Sequence, residues 1–230
     1  MQALPSTASA AEPWNGPGKC GASRWPTRAQ AHLWRAIHRW EVEALWHTGA
    51  MTLGKTLEIR ELESQDEQQA IDAHHLMLRE DFEFLPTWSA AEDWEDYIYR
   101  MKAGRRGEHI PEGWVRSALF AAFDEGDLVG RVSVRYEINE SLFQVGGHIG
   151  YGVVPEYRRR GVAQELCKFG LQELRESGIE HALVTCDSDN IGSKSTIEKC
   201  GGLLDAELPE IEVNFGPSKL RFWMPTRLIR

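Results

Sequence analysis

The chain has 230 residues, 42% of them hydrophobic and 27% charged, which is the profile of a globular protein with apolar material for one substantial core or two small ones. Its 26 Lys and Arg against 35 Asp and Glu leave a formal charge of -9, which argues against nucleic acid or an anionic membrane as a partner held by bulk positive charge. No run of about 18 apolar residues occurs, so no membrane span is expected; the cysteines Cys20, Cys167, Cys186 and Cys200 form no CxxC pair, so a reducing compartment, the cytoplasm, is the default.

Residues 1–50 differ from the rest. They hold Trp14, Trp25, Trp34, Trp40 and Trp46 and have more Arg and Lys than Glu, while their first half is rich in Gly, Pro and small residues without periodicity. A stretch from Arg28 to His47 places Leu33, Ile37, Trp40 and Ala44 at helical spacing. A transit peptide, a surface-seeking helix and an appendage preceding a functional start at Met51 all fit this segment. The expected division is therefore an N-terminal appendage over 1–50 and one domain over 51–230.

Beyond Met51, strand and helix signals alternate. Thr56 to Arg60 alternates with period two and reads as a strand. Ser64-Gln65-Asp66-Glu67 has the form of a capping box opening a helix through about Glu80. Ser89-Ala90-Ala91-Glu92 repeats the form ahead of a helix carrying Trp94, Tyr97, Ile98 and Met101, which is expected to end before Gly104. Two strands, Ser117 to Phe123 and Leu128 to Glu137, flank a hairpin turn at Asp124-Glu125-Gly126-Asp127. In the second of them Val132, Val134 and Tyr136 make a core face, and Ser133, Arg135 and Glu137 a polar one.

The run from Gly146 to Val154 reads as a glycine-rich strand stopped by Pro155; four glycines in so short a strand suggest that a ligand or another backbone comes close. Arg158, Arg159, Arg160 and Gly161 follow, and a helix opens with an apolar stripe at Ala163, Leu166, Gly170 and Leu174. Strand, short Gly-containing loop and helix N-terminus together form an anion site, here with three arginines at the positive end of a helix dipole. A diphosphate is the natural occupant. Neither G-x-G-x-x-G nor G-x-x-x-x-G-K-[ST] is present, so dinucleotide and triphosphate fingerprints do not apply.

Arg158-Arg159-Arg160-Gly161-Val162-Ala163 matches [RQ]-x-x-G-x-[GA], the diphosphate loop of the GNAT superfamily of N-acetyltransferases. The strand Leu183-Val184-Thr185-Cys186, then Asp187-Ser188-Asp189-Asn190 and a helix closing in Lys199-Cys200-Gly201-Gly202, resembles that superfamily's later motif. With Arg221-Phe222-Trp223, the whole is similar to a branch of acetyltransferases without an assigned substrate, over roughly Leu57 to Arg230.

The resemblance implies an α/β fold: a mixed, mostly antiparallel central sheet with splayed central strands and helices on both faces, of the acyl-CoA N-acyltransferase type. It implies acetyl-CoA as cosubstrate, with the amides of Arg159 to Ala163 on its diphosphate and Val153 and Val154 beside the pantetheine arm. It also places Asn190, and less strongly Ser193, near the cofactor where the strands splay. Where many relatives have a proton-donating tyrosine this chain has Ile197. The acceptor would be a small-molecule or peptide amine, the transfer direct, and a homodimer is compatible with the family. Transfer of another acyl group and a CoA-binding regulatory module without turnover are the rival readings.

A base near the splayed strands is needed to deprotonate the amine, and His148 and Glu137 are the candidates. His148 reads equally as a satisfied structural histidine and Glu137 as a surface charge. Cys186 is more naturally a small buried thiol than a nucleophile. No metal is expected, because His74-His75 and the N-terminal histidines lack ligand spacing with the cysteines. Glu80 to Asp96 contains seven acidic residues and no basic one, and is either an amine-attracting wall or a solvated acidic face.

Overall fold

The computed structural model describes residues 57–214 and 216–227, so the helix expected in the first fifty residues and the boundary at Met51 lie outside the described residues. Strand β1 (Glu58–Arg60) leads to a single 3-10 turn (Ser64–Asp66) and helix α1 (Glu67–Leu78). After a long connection come α2 (Trp94–Arg106), β2 (Ser117–Asp124) and β3 (Asp127–Arg135). Short α3 (Glu140–Gln144), β4 (Ile149–Val153) and α4 (Val162–Glu176) follow. The chain closes with β5 (His181–Asp187), α5 (Ile191–Lys199), β6 (Leu203–Leu204), β7 (Glu210–Ile211) and β8 (Lys219–Pro225).

These strands form two antiparallel sheets, β1-β2-β3-β4 and β5-β8-β6, with β7 also on β8. The hairpin joining β2 to β3 turns through Glu125 and Gly126, both at positive φ (53° and 94°), as a two-residue turn matched to sheet twist requires. One face of the first sheet carries Phe120, Val132, Val134 and Ile149 and packs under α4. Leu119, Ala121 and Phe123 carry the other face and pack under α1 and α2. The expected α/β fold, with helices on both faces of a splayed, mostly antiparallel sheet, is what is seen; every strand pairing among the described residues is antiparallel.

Three local expectations are corrected. The first capping box sits one residue earlier than Ser64. Asp66 is buried and held at 2.6 and 2.9 Å by Arg60, so its carboxylate accepts the Glu63 N–H at 2.8 Å and fixes the turn there. The second helix is capped by Asp93, whose carboxylate accepts the Glu95 N–H at 2.9 Å, while the Ser89 hydroxyl serves only a local turn to Ala91. That helix also runs past Gly104 to Arg106 and ends at Gly107, which takes the left-handed φ of 81°. Arg105 there reaches Glu61 and Glu173, both at 3.0 Å, and these tertiary pairs outweigh the roughly 1 kcal/mol that a helical glycine costs.

Candidate active site

The two sheets part where β4 faces β5. Arg135 donates its N–H to the carbonyl of His148 (2.7 Å), which is the last link between His148 and β3. The N–H of His148 turns the other way, to the carbonyl of Leu183 in β5 (2.7 Å), and the Leu183 N–H donates to His148 Nδ1 at 2.9 Å. Gly147 forms an isolated bridge to Val184, and a Cβ on Gly147 would lie 2.3 Å from the Leu183 carbonyl oxygen. His148 thus joins the sheets at the apex of the gap, using a ring nitrogen as a backbone-like acceptor. It is 3% exposed, and burial pushes its pKa from 6.5 down to about 4, so the ring is neutral at pH 7 with Nδ1 engaged. Glu137 lies beyond the end of β3, not on the strand as expected, and is exposed.

Beyond the apex β4 offers an open edge. Val154 donates its N–H to Val129 (2.9 Å), so alternation turns the N–H groups of Tyr151 and Val153 away from β3. The Val154 carbonyl accepts the Tyr157 N–H at 2.9 Å, so the Val154 N–H is spent on β3 and its carbonyl already holds one donor. The glycines of β4 have an internal reason as well: a Cβ on Gly152 would sit 2.4 Å from Cζ of Phe82, whose ring covers that position. Across the gap, the Tyr151 hydroxyl meets Ser193 Oγ at 3.1 Å, and burial raises its pKa.

At the loop, Arg159 has φ 65° and Gly161 φ 89°, and α4 begins without a side-chain cap. The N–H groups of Arg159, Arg160, Gly161, Val162 and Ala163 donate to no backbone carbonyl or side chain among the described residues. The three arginine side chains are exposed. Arg158 bonds the Val153 carbonyl through Nε (3.1 Å) and pairs with Glu80, while Arg160 lies over the Tyr157 ring. Asn190 caps α5 by accepting the Ser193 N–H at 2.9 Å. Ile197 is fully buried. The buried thiol of Cys186 is pushed up to about 11, the wrong direction for a nucleophile.

Four of the seven acidic residues from Glu80 to Asp96 are engaged within the fold. Glu80 pairs with Arg158, Glu92 with Arg100, Asp93 caps a helix and Glu83 accepts the Thr87 N–H at 2.9 Å. What this connection turns toward the sheet is Phe82, Phe84 and Leu85, the last anchored by its N–H on His74 Nδ1 (3.0 Å). Beneath them the polar face of β3 holds Arg135, which the alternating pattern marked as polar and which this cover leaves half-buried, and Arg131, which is buried. Among the described residues no group of three His, Cys, Asp or Glu is arranged to hold a metal ion, and no helix is long and apolar enough to cross a membrane.

The model of the acetyltransferase (GNAT) family matches residues 71–202, more than half of the chain and including the gap, the loop and both flanking helices. The chain belongs to the acetyltransferase (GNAT) family. A search of curated proteins finds no match. Solved structures share the fold of this acetyltransferase at low identity. Ribosomal-protein-S5-alanine acetyltransferase from Vibrio fischeri is 13% identical, with TM-score 0.52 over 75% of this chain and 94% of that one. Mycobacterium smegmatis RimJ, in complex with CoA-disulfide, is 15% identical, with TM-score 0.54 over 74% and 81%. Microcin C7 self immunity acetyltransferase MccE, in complex with acetyl-CoA and AMP, is 15% identical, with TM-score 0.52 over 75% and 95%.

Proposed function

We propose that this acetyltransferase moves an acetyl group from acetyl-CoA to a primary amine by direct attack, with both substrates bound together. The observation that carries the reading is the row of N–H groups from Arg159 to Ala163 without acceptors among the described residues, at the positive end of the 15-residue α4. A diphosphate gives those donors their acceptors. Val153 supports the same reading, since its N–H points into the gap, where an extended pantetheine arm adds like a strand. Two relatives of the same fold were solved with CoA-disulfide and with acetyl-CoA.

Within this reading each side chain has a limited task. Gly161 lets the loop take its left-handed turn, and Arg159 and Arg160 add charge beside the diphosphate. Arg158 and Asn190 position the loop and α5 rather than touch the reacting atoms. His148 holds the apex of the gap; a neutral ring whose Nδ1 is engaged, and whose pKa is near 4, is a poor proton acceptor at neutral pH. The rate then comes from placing the amine against the thioester and polarising its carbonyl with backbone N–H groups. The elevated pKa of Cys186 favours direct attack over an acetyl-enzyme.

The test is calorimetric titration with acetyl-CoA followed by CoA-release assays over a panel of amines. Saturable binding is expected, with release for at least one amine class. Gly161→Glu puts a side chain and a negative charge into the anion site, at a φ that disfavours any L side chain, and should abolish binding. Unchanged affinity in that variant overturns the loop assignment.

A further inference from the structure

Arg131, Ser133 and Arg135 share the face of β3 under α1 and α2, opposite the face that carries α4. Gly150 of β4 lies beside them. A Cβ built on Gly150 would stand 3.2 Å from Ser133 Oγ, 3.8 Å from Arg135 Nη1 and 4.0 Å from Arg131 Nη1. The two guanidiniums therefore converge on a point that glycine leaves clear. Among the described residues neither has a carboxylate within ion-pair distance.

Arg131 is 7% exposed and meets only neutral oxygens: Ser133 Oγ (2.9 Å) and the carbonyls of Gly150 (3.3 Å) and Glu83 (2.9 Å). Its Nε is buried with no hydrogen-bond partner. Arg135 makes only two long contacts, 3.4 and 3.3 Å, to the carbonyls of Gly146 and Gly147. The Glu83 carboxylate is exposed and engaged with Thr87, so it does not neutralise the pair. Burying one guanidinium without a counter-charge is costly, and a like charge beside it adds to that. Burial first, and then Arg135, pull the pKa of Arg131 down to about 10.

The geometry points to an anion subsite: Arg131, Ser133 and Arg135 hold the carboxylate or phosphate of the acceptor, beside the amine that is acetylated. Free donors on two forks, a hydroxyl and a side-chain-free floor at Gly150 suit a planar or tetrahedral oxyanion. Assigning the anion to the acceptor rests on the acetyl-transfer reading; the subsite itself does not. It lies on the opposite face of the sheet from α4 and is separate from the diphosphate loop. The acceptor class is then an amine that also carries an acid group, such as an amino acid or a phosphorylated amine, rather than a polyamine.

The experiment is thermal unfolding of the full chain saturated with CoA, titrated with sodium acetate and with sodium phosphate against sodium chloride at equal ionic strength. A saturable rise in midpoint is expected with acetate, with phosphate or with both. Acetate alone identifies a carboxylate site and phosphate alone a phosphate site. Arg135→Gln loses only two long contacts, so it should fold, bind CoA as the parent does and show roughly tenfold weaker anion affinity. Gly150→Ala should weaken it too, by filling the floor. A rise no larger than with chloride, or an Arg135→Gln response equal to the parent's, overturns the subsite. Failure of CoA itself to bind removes the acetyl-transfer reading alone, and the Arg135→Gln comparison still decides the subsite.

Discussion

In the C-terminal sheet a fully buried arginine, Arg221, comes with its own carboxylate; in the N-terminal sheet Arg131 and Arg135 come with none. Arg221 is 0% exposed and meets Asp205 Oδ2 at 3.1 and 3.3 Å, an oxygen that also accepts the Trp223 indole N–H at 3.0 Å. Its charge is cancelled inside the fold, so it fastens β8 to the segment around Asp205. The pair on β3 is left uncancelled beside the gap where the sheets part. Charge inside this fold is thus of two kinds, one internally neutralised and one without a carboxylate partner among the described residues.

Cutting the neutralised pair should have the largest effect. Asp205→Ala strands Arg221 and is expected to cost about 3–5 kcal/mol in urea unfolding. A loss under about 1 kcal/mol would mean that Arg221 is solvated after all and would erase the contrast.

Next in size is a pH effect at the apex. His148 has a pKa of about 4 in the fold against an ordinary 6.5, so the unfolded chain binds the extra proton between those values. The stabilisation is complete above pH 6.5 and shrinks as pH falls toward 4. About 2 kcal/mol should be lost between pH 7 and pH 5. His74, lowered mainly by burial, adds in the same direction. Urea curves for His148→Asn, which keeps an acceptor near Nδ1 but cannot titrate, should show a flatter pH dependence; an unchanged slope assigns the effect elsewhere.

Tyr151→Phe removes the hydroxyl contact to Ser193 that spans the gap, and about 1 kcal/mol is expected. Smallest, and opposite in sign, is Arg135→Met. Without an anion it relieves repulsion on Arg131, so the midpoint of the ligand-free chain should stay level or rise, as happens where function holds a strained charge. A destabilisation as large as that of Asp205→Ala would show that Arg135 is already neutralised.

What was legible in the sequence follows from this contrast. The hairpin, the α4 stripe and the glycine-containing turn from Arg158 to Ala163 are local patterns, set by residues a few positions apart, and they appear in the structure where the residues place them. The helix starts at Glu63 and Asp93 were not, because the caps are chosen by a buried ion pair and by the path of a connection. The polar alternation of Ser133 and Arg135 was visible, yet its meaning was not: a segment some 50 residues earlier covers that face and turns a solvent-facing pattern into a buried one. The acidic run between the helices was read from charge count alone, and the count does not say that Glu80 and Glu92 are spent on Arg158 and Arg100. Arg131 was missed although it continues the same alternation two residues earlier; a charged residue facing a glycine-rich neighbour strand is the signal that could have found it.

Phe82 rests on Gly152 and at the same time under the guanidinium of Arg131, 4.5 Å from the ring centroid to its central carbon. Any side chain at position 152 would meet the ring at 2.4 Å and push it out. Water would then reach the arginines and weaken their hold on any anion through the higher local dielectric. A residue with no side chain therefore governs how dry the arginine pair is, and saturation mutagenesis at 152 should return glycine alone.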